Sequence, residues 1–145
     1  MKKILFLVLS VTFLLTSLVF AQSYSETRPN TGDSSMEVIR VEWTADGSGD
    51  VTAIVPIRGY VYMIVTDPDT NAPTTLYDMV INDNDGVDIM EGGLADLSAT
   101  VSNQFSPTVG GSAGARWAQG ALTIVVSNAG AGNQGEVIIY NYLER

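Results

Sequence analysis

The chain has 145 residues, with 7 Lys and Arg against 16 Asp and Glu, and it contains no His and no Cys. Without those two residue types it cannot carry a Ser-His-Asp or Cys-His nucleophile, a reactive thiolate or a His/Cys metal site. The formal net charge of −9 repels phosphate backbones and anionic membrane surfaces, so no nucleic-acid partner is expected.

Residues 1–21 have the three-part pattern of a secretory signal peptide. Two lysines begin it, an apolar run extends from Ile4 to Phe20, and the small residue Ala21 ends it. The alternative is a permanent N-terminal membrane anchor, since the run is nearly long enough to span a bilayer. The polar stretch that follows favours cleavage, which would leave 124 residues with a net charge of −11. The sequence therefore predicts a secreted bacterial protein, periplasmic or extracellular, that meets a membrane only during export.

The rest of the chain is predicted to form one domain. Residues 22–35 are polar and contain Pro29 and Gly32, which predicts a flexible lead-in. Over residues 36–145, short apolar runs are separated at fairly even intervals by Gly, Asp, Asn and Pro. A domain of this size can bury an adequate core without disulfides.

The first predicted strand is the run Glu37–Thr44. Ile39, Val41 and Trp43 share one face of this run, and polar side chains occupy the other. Alternation with a period of two is typical of a half-buried strand. Further strands are predicted over residues 50–55, 58–66, 75–83, 87–90, 120–127 and 136–143.

Several segments between these strands carry their own predictions. Pro56 is expected to end one strand or mark a sheet edge, because proline cannot donate to a ladder. Leu94–Val101 is the only helix candidate and is too short for more than one turn, whereas Phe105–Arg116 is predicted as loops. Seven to eight strands with turns about 8–12 residues apart predict an all-β fold, a single antiparallel β-sandwich or jelly roll.

The acidic loop 83–88 is the candidate metal site. Ca²⁺ prefers about six to eight oxygen ligands. Asp83, Asp85 and Asp88, around the bend at Gly86, could supply several of them, with Asp67 or Asp69 from another loop as a further ligand. An EF-hand register built on this glycine lacks both anchoring carboxylates. The alternative is a hairpin turn in which Asp and Asn side chains bond the backbone. No other cofactor is predicted.

Trp117 and Arg116 are the candidate ligand-binding residues. Exposed aromatic side chains on a sheet stack on sugar rings, and Trp117 lies beside Arg116 in a glycine-rich stretch. Loop or core packing is the alternative for this tryptophan, and Trp43, Tyr60 and Tyr77 are expected in the core. No spacing among the acidic residues selects a carboxylate pair for glycoside hydrolysis, so no enzyme is predicted.

Four stretches carry a resemblance to a known group of proteins. They begin at Trp43, Tyr77, Leu122 and Gly135 and read WTADGSGDV, YDMVINDNDGVD, LTIVVSNAG and GEVIIY. In this order they resemble small, uncharacterised β-sandwich proteins of tailed bacteriophages and prophages, which are taken to be virion-associated or accessory proteins. The resemblance implies no catalytic residues. A virion protein assembled in the cytoplasm does not need a signal-like start, which favours an exported relative.

Together these observations predict an exported, non-enzymatic structural or interaction protein. The expected partner is a protein, including further copies of the chain in a homo-oligomer or filament at or outside the cell surface. Residues 22–35 could add as a strand to the sheet edge of a neighbour. The two alternatives are a phage virion structural or accessory protein and a carbohydrate-binding module.

Overall fold

A computed structural model describes residues 20–29 and 35–143, which form nine strands and no helix. The strands are β1 (Ser23–Thr27), β2 (Met36–Thr44), β3 (Val51–Pro68), β4 (Asp78–Asn82), β5 (Asn103–Phe105), β6 (Thr108–Val109), β7 (Ser112–Ala113), β8 (Arg116–Ser127) and β9 (Gln134–Tyr142). Seven of them make one sheet in the order β1-β2-β9-β3-β8-β4, with β5 also paired to β3, and β6 and β7 form a separate hairpin. Every pairing is antiparallel. The all-β, antiparallel prediction is confirmed.

The 18-residue strand β3 replaces two strands that the sequence predicted on either side of Pro56. This prolyl residue lies opposite Ala121 of β8, yet its carbonyl accepts a hydrogen bond from Arg28 on the opposite side of the strand. In an antiparallel strand the amide nitrogen and carbonyl of one residue point the same way. The missing N–H therefore costs no ladder bond to β8, and the expectation that proline ends the strand is wrong.

Gly59 marks the region where β3 changes partners. The residues up to Val61 pair with β8, whereas the residues from Tyr60 onward pair with β9. Gly59 has a φ of 143°, and a Cβ placed on it would lie 2.0 Å from the carbonyl oxygen of Tyr142. A bulge between Val61 and Met63 follows directly. Only glycine fits this close approach of two backbones.

The hydrophobic core is a single cluster built from the inward face of the sheet. Alternation along the strands supplies it, as the pattern in β2 predicts. Its strand members include Ile39, Val41 and Trp43 of β2, Val51, Ala53, Val55, Ile57, Val61 and Ile64 of β3, Met79 and Ile81 of β4, Leu122, Ile124 and Val126 of β8, and Val137 and Ile139 of β9.

The segment between β4 and β5 differs from its prediction. Residues 87–90 form no strand and meet β4 only through a bridge between Asn82 and Asp88. The helix predicted over Leu94–Val101 is absent, because the backbone of Leu94 and Leu97 bonds to the β4 side of the sheet instead. Both leucines are buried in the core cluster, so the apolar spacing reflects core contacts from an irregular segment.

The N-terminal region is described only in part. Residues 1–19, which carry most of the predicted signal peptide, lie outside the described residues. Of the predicted lead-in 22–35, residues 23–27 form β1 and pair along their whole length with β2. The strand has no apolar alternation, which explains why the sequence pattern did not indicate it.

Candidate functional site

The aromatic residues divide into a buried pair and an outer row. Trp43 and Tyr77 are buried in the core, as predicted. Their ring centroids are 6.0 Å apart. Tyr60, also predicted in the core, is 42% exposed. The run around it is apolar at nearly every position, so alternation could not assign its face, and the prediction for this residue is wrong.

The outer row crosses three neighbouring strands on the solvent side of the sheet. Trp117 lies opposite Tyr60, and Tyr60 lies opposite Tyr142. The ring centroids of Trp117 and Tyr60 are 5.0 Å apart in an edge-on arrangement, and Tyr62 contacts both Tyr142 and Tyr140 at 5.2 and 6.0 Å. Edge-on and tilted pairs of this kind stabilise one another beyond their buried area. The indole of Trp117 is therefore held in a defined orientation at one end of the row.

The acidic loop forms a tight hairpin turn between β4 and the segment that follows it. Asp83 Oδ1 accepts hydrogen bonds from the amides of Asp85 and Val87, both at 3.0 Å. The amide of Gly86 donates to the carbonyl of Asp83 at 2.9 Å. Asp88 uses both carboxylate oxygens on the amides of Met90 and Gly92. These contacts are those of the turn alternative, in which carboxylates order the backbone.

Arg116 completes the turn from β8. Its Nη2 lies 3.2 Å from Asp83 Oδ2, in a partly buried ion pair. Burial alone would raise the pKa of Asp83, but the hydrogen bonds from Val87, Asp85 and Arg116 outweigh it and hold that pKa below its ordinary value. The candidate ligand residue Arg116 therefore orders the acidic loop.

In the part of the chain that the structure describes, no three acidic side chains converge closely enough to hold a metal ion. The calcium site at Asp83, Asp85 and Asp88 stays a prediction.

We expect Asp83→Ala to lower the free energy of unfolding by about 1–2 kcal/mol, because it removes two turn hydrogen bonds and an ion pair. Across residues 20–29 and 35–143 the Asp85 side chain has no hydrogen bond or ion pair, and only its amide donates to Asp83. Asp85→Ala should therefore change stability by less than about 0.5 kcal/mol. Urea unfolding in EDTA and in millimolar Ca²⁺ checks both values. A calcium-dependent gain in the unaltered protein that both variants lose would contradict the turn role and establish a calcium site.

A groove of about 380 Å³ brings the two predicted sites together. The pairing of β4 with β8 places the turn after Asn82 beside the start of β8. The wall residues are Asp83, Asn84, Asp85, Trp117, Ala118, Gln119 and Gly120. Gly120, with a φ of 95°, leaves room for the Asn84 side chain, which would lie 3.1 Å from a Cβ at that position. The geometry offers an aromatic wall beside carboxylate and amide groups.

A second surface, which sequence reasoning missed, is the seam between β1 and the first half of β3. We define the seam by three side-chain-to-backbone hydrogen bonds. The Thr52 amide donates to Gln22 Oε1 at 2.8 Å, the Tyr24 hydroxyl donates to the Ile54 carbonyl at 3.3 Å, and Arg28 donates to the Pro56 carbonyl. No ladder joins β1 to β3. The polar residues of β1 carry no pattern that could have indicated these contacts.

Arg28 anchors one end of the seam. It pairs with Glu26 and with Glu37, the latter at 2.6 Å. Partial burial lowers the pKa of Arg28, but the hydrogen bonds to the two carboxylates together have the larger effect, so this pKa is raised above its ordinary value. These residues and Arg58 line an open cavity of about 550 Å³. The hydrogen bond from Arg28 to the Pro56 carbonyl and its ion pair with Glu37 connect the end of β1 to β3 and β2.

A comparison of the chain with protein-family models, with curated protein sequences and with solved structures finds no match in any of the three. Across residues 20–29 and 35–143, no helix has the length and hydropathy needed to cross a membrane.

Proposed function

We propose that the protein is an exported, non-enzymatic interaction protein that assembles with further copies of itself by exchange of β1. The seam supports this proposal, because only side chains cover this edge of β3, and its backbone forms no strand ladder with β1.

We further propose that the sheet folds over on itself as a β-sandwich at Gly59. The single core cluster drawn from both parts of β3 supports that arrangement.

Detachment of β1 exposes little apolar surface. Four of its five residues are exposed, and its one large hydrophobic side chain, Tyr24, is 43% exposed. Hydrogen bonds hold β1 in the ladder to β2 and in the seam, and each contributes about 0.5–1.5 kcal/mol net to stability. All of them can re-form when the same strand arrives from another copy. Exchange therefore conserves the contacts of β1, and its equilibrium depends on protein concentration.

The position of β1 in the chain suits exchange. Cleavage after Ala21 would leave β1 at the free N-terminus of the mature protein, so no loop has to be threaded. Eight residues, 28–35, connect it to β2 and span up to about 26 Å when extended. Released from its own sheet, the strand can reach the equivalent edges of a neighbouring copy.

A cysteine pair across β1 and β2 tests the exchange. Ser25 and Glu42 are opposite each other in the ladder, with a side-chain hydrogen bond of 3.5 Å, and the chain has no native cysteine. We expect the Ser25→Cys/Glu42→Cys protein, oxidised at increasing concentration, to give a ladder of covalent oligomers on a non-reducing gel. The ladder should collapse to monomer on reduction.

The matched control places the cysteine pair on strands that are not exchanged. Ile54 and Thr123 are opposite each other on β3 and β8, so Ile54→Cys/Thr123→Cys should give only the internally cross-linked monomer. Light scattering on the unaltered protein should show the same growth in mass with concentration. A β1–β2 pair that cross-links only within one chain at every concentration would refute the exchange.

The virion alternative rests on the four stretches that resemble phage and prophage proteins. It shares the all-β domain with the exported assembly but differs in where the protein functions. Capsid and tail genes beside this gene would favour the virion role, whereas secretion or surface-layer genes would favour export. Mass spectrometry of the protein purified from its source should find a mature chain beginning at Gln22 if it is exported.

A further inference from the structure

The groove beside Trp117, lined by Asp83, Asn84, Asp85 and Gln119, serves no role in strand exchange. It lies on the β4–β8 part of the sheet, whereas the seam lies along β1 and the first half of β3. Its volume of about 380 Å³ falls within the range of small-molecule sites, which is roughly 300–1,000 Å³. We propose that this groove binds a neutral saccharide, with a sugar ring stacked on the indole of Trp117.

The tryptophan supplies the apolar part of such a site. Trp117 is half-buried, so part of the indole lies in the groove while its contact with Tyr60 fixes the ring orientation. The C–H face of a sugar ring packs on an aromatic ring, and the side chain loses little entropy because it is already held.

Unpaired polar side chains supply the hydrogen bonds that sugar hydroxyls need. Within the described residues, the side chains of Asn84, Asp85 and Gln119 have no hydrogen-bond partner, although all three line the same groove. An amide offers both donor and acceptor atoms, and a carboxylate offers acceptors, which together match vicinal hydroxyls. Asp83 is already bonded to the turn and to Arg116, so it orders this set without contacting the sugar.

Charge selects among saccharides. Arg116 neutralises Asp83, which leaves the Asp85 carboxylate as the uncompensated charge in the groove. The chain as a whole has a formal charge of −9. A sugar carrying carboxylate, sulfate or phosphate groups would meet repulsion at close range, whereas a neutral ring would not.

Affinity electrophoresis in gels containing soluble polysaccharides tests the proposal. The probes are neutral β-glucan, galactomannan and xylan, with polygalacturonate as the anionic control. We expect at least one neutral polymer to retard the full-length mature protein, and polygalacturonate to have no effect. Trp117→Ala should weaken the retardation at least about tenfold, the loss expected for a stacked ring.

Two further variants keep the test decisive. Gln119→Ala alters an exposed groove residue without touching the core and should weaken retardation severalfold even if Trp117→Ala folds poorly. Tyr24→Ala removes an aromatic residue that is 43% exposed on β1, outside both the groove and the aromatic row, and should bind as the unaltered protein does. Failure of every neutral polymer to retard the protein, retardation by polygalacturonate, or equal binding by the Gln119→Ala protein would each overturn the saccharide site. Loss of strand exchange alone would leave this result unchanged.

Discussion

Gly59→Ala should destabilise the protein by about 3–5 kcal/mol, the largest effect expected of a single methyl group in this chain. The added Cβ would lie 2.0 Å from the Tyr142 carbonyl oxygen and 2.7 Å from Asn141 Oδ1. This oxygen belongs to Tyr142, which pairs with Tyr60 in the β3–β9 ladder, so it cannot move far without disturbing that ladder. The φ of 143° also strains any residue with a Cβ. Urea unfolding followed by far-ultraviolet circular dichroism measures the loss.

Two other glycines separate the clash from the backbone strain. Gly86 has a φ of 79° with open space around its Cβ position, so Gly86→Ala should cost only about 1–2 kcal/mol of strain. Gly47 has neither a neighbouring atom within 4 Å nor a positive φ, so Gly47→Ala should change stability by less than about 1 kcal/mol. Equal losses in all three variants would show that the contact between Gly59 and Tyr142 is not the cause.

Two irregularities within β3 obscured its alternation, so the sequence predicted two strands where the structure has one. Alternation identified β2 to within a residue because one face is apolar and the other polar. In β3 the signal is confused by Pro56, which keeps the ladder to β8, and by the bulge after Val61, which shifts the alternation. These features depend on neighbouring strands, and no local pattern encodes them.

The candidate site was predictable in its parts but not as a whole. Asp83 and Trp117 were each recognised from residue type and from neighbouring turn residues. Their convergence on one groove depends on the register of β4 against β8, in which Asn82 lies opposite Thr123. The seam was beyond prediction, because β1 is held by backbone bonds and by polar side chains such as Tyr24 that also suit a solvated tail.

A buried tyrosine should make the protein lose stability at alkaline pH. Tyr77 is 1% exposed, and burial raises its pKa to about 12 from an ordinary value of 10, with the Asp67 carboxylate adding to the rise and a hydrogen bond with Thr66 opposing it. Below pH 10 the phenol is neutral in both the folded and the unfolded chain, so it causes no pH dependence. Between pH 10 and about 12 the unfolded chain releases this proton while the folded protein retains it, which favours unfolding.

The free energy of unfolding should therefore fall by up to about 3 kcal/mol across that interval through Tyr77 alone. Tyr77→Phe should cost about 1 kcal/mol at neutral pH, since the Thr66 hydroxyl loses a partner, and should be markedly less sensitive to alkali. Tyr142→Phe, which alters an exposed ring, should retain the full alkaline loss. Urea titrations at neutral pH and across the alkaline interval compare the three proteins. The free energy of unfolding could instead fall equally steeply with pH in Tyr77→Phe and in the unaltered protein. That result would mean that Tyr77 ionises freely in the folded protein and that the core beside Trp43 is open to water.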